Sequence, residues 1–194
     1  MNYLAHLFLS CSDDSLLMGN LVADWISNKD ILDMDPAMKI GIDLHRSIDR
    51  FTDNHAVIRQ GSRRLQPKYS KYSPVIIDVF YDHLLFNNWK KYTSQEFEAF
   101  KLSVYKVIRD QFKLFPEYIQ KRLLSMADHD WLENYTSIER MHYVFKRLKE
   151  RTKFPSTLEE AAGDLERDYL SYEEEFNIFF PDVIAHVDSL CKCD

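Results

Sequence analysis

The sequence predicts an all-α protein, a single compact multi-helix domain spanning residues 1–194. Three observations carry that reading. Apolar residues recur at helical spacing in segment after segment. Gly and Pro are scarce, four and six in the whole chain, too few for the many tight turns of a sandwich or barrel. Aromatic residues make up 14% of the sequence, bulk suited to a tightly filled helical core. The length fits one domain with a substantial core, and no linker, repeat or low-complexity stretch divides it.

The opening segment, Met1 to Ser10, is apolar, but it lacks the basic residues of a secretory leader and Ser12-Asp13-Asp14 interrupts it early. Ser12 is the expected N-cap of the first full helix, with Asp13 and Asp14 in its first turn, and the helix runs to about Ser27. Pro36 opens a second helix to about Leu65, with Leu44, Ile48, Phe51, His55 and Ile58 on one stripe. Pro74 opens a third, through Trp89. Its apolar residues (Val75, Ile76, Ile77, Val79, Phe80, Leu84, Leu85, Phe86) lie on nearly every side, so it belongs in the middle of the protein. Thr93 or Ser94 caps a fourth to about Lys113, and Pro116 opens a fifth. Ser137 to Arg151 is a sixth, and Thr157 to about Phe180 the last, with Pro116, Pro155 and Pro181 as punctuation.

The net charge of −6 argues against a general nucleic-acid binder. No run approaches the ~18 apolar residues of a membrane span. Cys11 stands alone, and Cys191 and Cys193 are too close together for a metal knuckle or an unstrained disulfide. All three are expected as reduced thiols in a cytoplasmic protein with a frayed tail.

Ionisable residues on faces that should be buried point to chemistry. Asp24 shares a helical face with Leu17 and Leu21, Asn20 lies one turn earlier, and a carboxylate there needs a cation, either a metal or a neighbouring Arg. Gly19 in mid-helix costs roughly 1 kcal/mol relative to Ala, so a close approach by another group is expected there. His45 and Asp49, four apart, flank the apolar stripe; Asp49 with Arg46, and Asp53 with Arg50, also offer simple surface ion pairs. His55, on the stripe itself, reads as a packing His. Asp78, Asp82 and His83 sit inside the most apolar helix, where ionised groups need partners or a metal. His6, within Leu4-Ala5-His6-Leu7, is the same kind of anomaly. A mixed carboxylate and imidazole set suits Mn²⁺, Fe²⁺ or Zn²⁺, whereas Mg²⁺ usually prefers oxygen alone. The sequence has no Gly-rich phosphate loop and no nucleophile elbow, and scattered Asp and His on helices are what a helical metallophosphohydrolase needs.

Four segments resemble the acyl carrier protein phosphodiesterase family: Met1-Asn2-Tyr3-Leu4-Ala5-His6-Leu7, Gly19-Asn20-Leu21-Val22-Ala23-Asp24, the run from Gly41 to Asn54, and Asp78-Val79-Phe80-Tyr81-Asp82-His83-Leu84-Leu85. The likeness is close over about residues 1–90 and loose beyond, through Trp131-Leu132 and the aromatic-rich end. It implies an HD-like helical core and a hydrolase using Mn²⁺, with Fe²⁺, Zn²⁺ or Mg²⁺ as alternatives. It also implies the reaction, cleavage of 4′-phosphopantetheine from a Ser of holo-acyl carrier protein. In the matched segments the His-Asp dipeptide of HD enzymes is missing and Asp82-His83 runs in the opposite order, so ligands cannot be copied by motif. Family matches and the burial argument together nominate Asp24, His45, Asp82 and His83 as the metal shell, with His6, Asp49 and Asp78 as further ligands or orienting groups. Arg46 or Arg50 would neutralise charge on the phosphoryl group.

Acyl carrier proteins are acidic, so a basic patch is expected to steer them. Arg59, Arg63, Arg64, Lys68 and Lys71 form one candidate; Lys146, Arg147, Lys149, Arg151 and Lys153 form another. Two rival readings stay open: an HD-like hydrolase of a nucleotide or other small phosphodiester, and a metal-free helical interaction module.

Overall fold

The computed structural model describes residues 1–11, 13–153 and 156–191. Among these, the chain forms α1 (Tyr3–Phe8), α2 (Asp14–Val22), α3 (Asn28–Leu32), α4 (Pro36–Asn54), α5 (Ala56–Tyr69), α6 (Ser73–Asn87), α7 (Trp89–Tyr92), α8 (Phe97–Gln111), α9 (Glu117–Asp128), α10 (Ile138–Glu150), α11 (Ala161–Arg167) and α12 (Tyr169–Cys191), with short 3₁₀ turns between some of them and no strands. The all-α expectation holds. No described helix is long and apolar enough to cross a membrane.

α6 occupies the centre, as its composition requires: Ile76, Ile77, Val79, Phe80, Tyr81, Leu84 and Leu85 are fully buried. Aromatic rings from α10 and α12 close around it, Phe145 and Tyr172 on Phe80 and Phe176 on Tyr81, all near edge-to-face.

Several boundaries differ from expectation. Ser12 lies outside the described residues, and Asp13 is the N-cap of α2, accepting from the Leu16 N–H. α2 ends at Val22, so Asp24 sits in the turn that follows rather than among the Leu side chains of a continuing helix. The expected single helix from Pro36 breaks at His55. There the Thr52 hydroxyl and the Asn54 amide donate to the carbonyls of Ile48 and Arg50, one turn back, and so compete for the last turn. α8 begins at Phe97 instead of Thr93. Ser137 caps α10 as expected, accepting from Arg140 N–H. Pro181 lies inside α12 and stops nothing. Buried Phe176, Phe179, Phe180, Val183 and Val187 on either side of it outweigh the ~3 kcal/mol that an interior Pro costs. Pro155 lies outside the described residues. Cys11 is disulfide-bonded, against the expected reduced thiols. Spacing along the chain does not reveal which thiols meet in the fold. Cys191 is free, and Cys193 and the expected frayed end lie outside the described residues.

Candidate metal centre

Two glycines decide where a site can form. α2 and α4 cross at Gly19 and Gly41 so closely that a Cβ on Gly19 would stand 2.0 Å from the Met38 carbonyl oxygen, and one on Gly41 2.4 Å from that of Leu16. Only Gly allows backbones to approach in this way. The crossing sets Asn20, the residue after Gly19, against His45, one turn beyond Gly41. α1 is held over the crossing from its own end. Asp82 of α6 accepts from the backbone N–H groups of Leu4 and Ala5, at 2.8 and 3.1 Å, which satisfies two of the free donors at that helix N-terminus. His6, the next residue, is thereby brought to the same point.

There His6 and His45 stack, ring centroids 4.0 Å apart and planes 16° from parallel. Fully buried Asn20 places Oδ1 2.9 Å from His6 Nδ1 and 3.0 Å from His45 Nδ1. Its Nδ2 donates to the His6 carbonyl oxygen and to Ser10 Oγ. On the other ring edges, His6 Nε2 lies 3.1 Å from Asp49 Oδ1, and His45 Nε2 lies 3.2 Å from Asp49 Oδ2 and 3.3 Å from Asp24 Oδ1. One nitrogen from each of His6 and His45 and one oxygen of Asp49 all fall within 4.8 Å of one another. The two imidazoles are buried, at 3% and 6% exposure, Asp49 is partly covered, and the Asp24 side chain is 72% exposed. Asp24 is the most exposed member of the cluster.

Electrostatics divides the pair of imidazoles. Burial drives the His6 pKa down to about 4. The same burial acts on His45, but the Asp24 and Asp49 carboxylates beside its Nε2 prevail and lift it to about 9. Burial would raise Asp49, yet the charged His45 imidazole and the Met1 amino group hold its carboxyl far below the usual range. The His45 bond also lowers Asp24.

His45 Nε2 is buried without a well-directed hydrogen bond, although two carboxylates stand within 3.3 Å of it. A divalent cation among these atoms would satisfy it. Two imidazole nitrogens with carboxylate oxygens are a donor set for Mn²⁺, Fe²⁺ or Zn²⁺.

The other nominated residues are placed as follows. Asp78 pairs with the Met1 amino group at 3.1 Å, and that group also lies 3.5 Å from Asp49. The buried amino group was missed in the sequence, since a side-chain inventory leaves it out. Asp82 and His83, nominated for the metal shell, are not in the cluster. Both Asp82 oxygens are taken by α1. His83 Nδ1 donates to the Tyr135 carbonyl oxygen at 2.7 Å, and its Nε2 faces Asn87. Arg46 is exposed and pairs with Asp43 at 3.5 Å, not with Asp49, and Arg50 is exposed. The chain does carry one His-Asp dipeptide, His129-Asp130, outside the matched segments. There Asp130 receives Lys101 and Tyr105 of α8, and exposed His129 bonds the Ser125 carbonyl at the end of its own helix.

The first basic cluster is largely spent on internal ties. Arg64 makes a two-pronged bond to Glu175 at 2.6 and 2.9 Å and lies over Tyr172. Lys68 pairs with Asp164 and Glu160, and Arg59 binds the Asp53 carbonyl and Asn54. Arg63 is exposed. The ends of both basic segments nevertheless meet, with Lys71, Arg151 and Lys153 around a pocket of about 360 Å³ floored by Tyr72, Val75 and Leu148.

A family model described as acyl carrier protein phosphodiesterase matches residues 1–183, well beyond the 90 or so residues of close likeness. Proteins named acyl carrier protein phosphodiesterase from Serratia proteamaculans and Photorhabdus laumondii are each 29% identical to this chain. The first covers 95% of this chain and 96% of the relative, the second 93% and 92%. One of that name from Yersinia enterocolitica is 28% identical over 95% and 96%. No solved structure matches.

Proposed function

The chain belongs to the acyl carrier protein phosphodiesterase family, and on that footing we propose that it hydrolyses holo-acyl carrier protein at a divalent-cation site built from His6, His45, Asp49 and Asp24. Cleavage of the phosphodiester frees 4′-phosphopantetheine and leaves the carrier's Ser. The observation that carries the site is the convergence of His6, His45 and Asp49 donor atoms within 4.8 Å, beside a His45 nitrogen with no directed hydrogen bond. When bound, the ion, Mn²⁺ by preference with Fe²⁺, Zn²⁺ or Mg²⁺ as alternatives, acidifies a water and draws charge from a phosphoryl oxygen.

The residues themselves hold and orient. Asn20 and the α2–α4 crossing fix the rings, and Asp49 spans both imidazoles. Asp24 completes the donor set from the solvent side, where the phosphodiester must arrive. Arg46 follows His45 on α4, and its exposed pair with Asp43 is of the weak kind, so it can turn to the phosphoryl group. Lys71, Arg151 and Lys153 are the basic groups that best fit an acidic carrier, because they ring an apolar floor.

Mass spectrometry of holo-acyl carrier protein after incubation with the protein and Mn²⁺ tests the reading. Loss of the prosthetic arm with Mn²⁺, and no loss with excess chelator, is expected. Undiminished cleavage in chelator would remove the metal from the mechanism. Intact carrier alongside hydrolysis of a small phosphodiester would replace the substrate.

A further inference from the structure

Asn20 sits where no ligand atom is needed, yet every polar atom it has is used. Its Nδ2 donates to the His6 carbonyl oxygen at 2.8 Å and to Ser10 Oγ at 3.0 Å. A backbone carbonyl can only accept, so the amide cannot be turned over: nitrogen must face His6 O, and oxygen must face the two rings. Ser10 Oγ in turn donates to the same His6 carbonyl at 2.8 Å, which leaves its lone pairs for the amide. The Asn20 oxygen then lies 2.9 and 3.0 Å from His6 Nδ1 and His45 Nδ1. An amide oxygen donates nothing, so both Nδ1 atoms must carry hydrogen.

We propose that Asn20 is a positioning residue that holds hydrogen on Nδ1 of both His6 and His45, so that the bare Nε2 of His6, and that of His45 once a cation displaces its second proton, point at one place. This rests on the divalent-cation reading for its purpose but not for its geometry. A neutral imidazole in water prefers its proton on Nε2, so the lock runs against the ordinary preference. It also sets a neutral His6 with a bare nitrogen 3.1 Å from a carboxylate oxygen, two acceptors face to face, an arrangement that a cation between them resolves. Fixing the tautomer through the far nitrogen is how outer groups tune ligating His residues. Here one amide serves two rings.

The test is ¹⁵N–¹H correlation NMR of the His side chains in the metal-free protein, with Zn²⁺ titration calorimetry alongside. In the wild-type protein His6 should show a protonated Nδ1 and a bare Nε2. Asn20→Ala should return His6 to Nε2–H, now donating to Asp49, and weaken Zn²⁺ binding by about 10- to 100-fold. Asn20→Asp, which keeps the acceptor oxygen, should retain the Nδ1–H form and guards against an Ala variant that fails to fold. Nε2–H on His6 in the wild-type protein would overturn the lock, whether or not metal binds. The Nδ1–H form in a protein that takes up no divalent cation would uphold the lock while sinking the metal reading.

Discussion

Asp82 on α6 and Asp49 on α4 both lie in segments that resemble the same family, but their surroundings give them different work. Asp82 receives two backbone N–H groups and is sealed from solvent. Asp49 touches two imidazoles and remains partly open. His45→Ala and Asp49→Ala should therefore lower kcat/KM by about two orders of magnitude or more, since loss of an outer partner alone costs about 10- to 100-fold. Asp82→Asn should cost far less; equal losses would return Asp82 to the ligand set. Asp82 also carries a pH signature. Burial pushes its pKa up to about 7, above an unfolded value of about 4. Its contribution to stability is complete below the unfolded value and is lost as pH rises through 7. Measured by urea unfolding, the stability advantage of wild type over Asp82→Asn should shrink between pH 4 and 7, and an advantage that grows would refute the assignment.

At the scale of elements, the α2–α4 crossing is the part least open to change. An Ala at Gly19 or Gly41 meets backbone, which cannot rotate aside, so each substitution should cost about 3 kcal/mol or more in urea unfolding, the upper end for overpacking. A cost under ~1 kcal/mol would mean the helices simply separate. The sequence announced this crossing through a Gly in mid-helix, and it announced α6 through apolar residues on every side. It concealed the stop at Val22, because nothing in Ala23 or Trp25 forbids another turn, and so Asp24 looked buried when it is exposed. It concealed the job of Asp82 for a related reason. Burial marks a carboxylate that needs partners, but the pattern alone does not say whether those partners are a metal or the end of another helix. His6, His45 and Asp49 were legible as anomalies; that they meet, and that Asn20 joins them, is a property of the crossing.

At the scale of the molecule, binding of metal to the folded state alone should raise its stability, by about 2.7 kcal/mol when the ion is at 100 times its Kd. A melting temperature indifferent to Mn²⁺ and chelator would count against the site. Docking has its own test. Arg151→Glu with Lys153→Glu should raise KM for the carrier protein, more at low salt than at high, with kcat little changed; an unchanged KM would discard that surface. Arg63, exposed in the first basic cluster, is the comparison, while Arg64 is tied to Glu175 and its loss would disturb α5 and α12 instead. Exposure rises steadily through the cluster, from His6 and His45 to Asp49 and then to the outward-facing Asp24. If the cluster is the reactive site, a reactant as large as a carrier protein does not have to be swallowed. On the proposed reading it need only present the bond to be cut at the rim, beside Asp24.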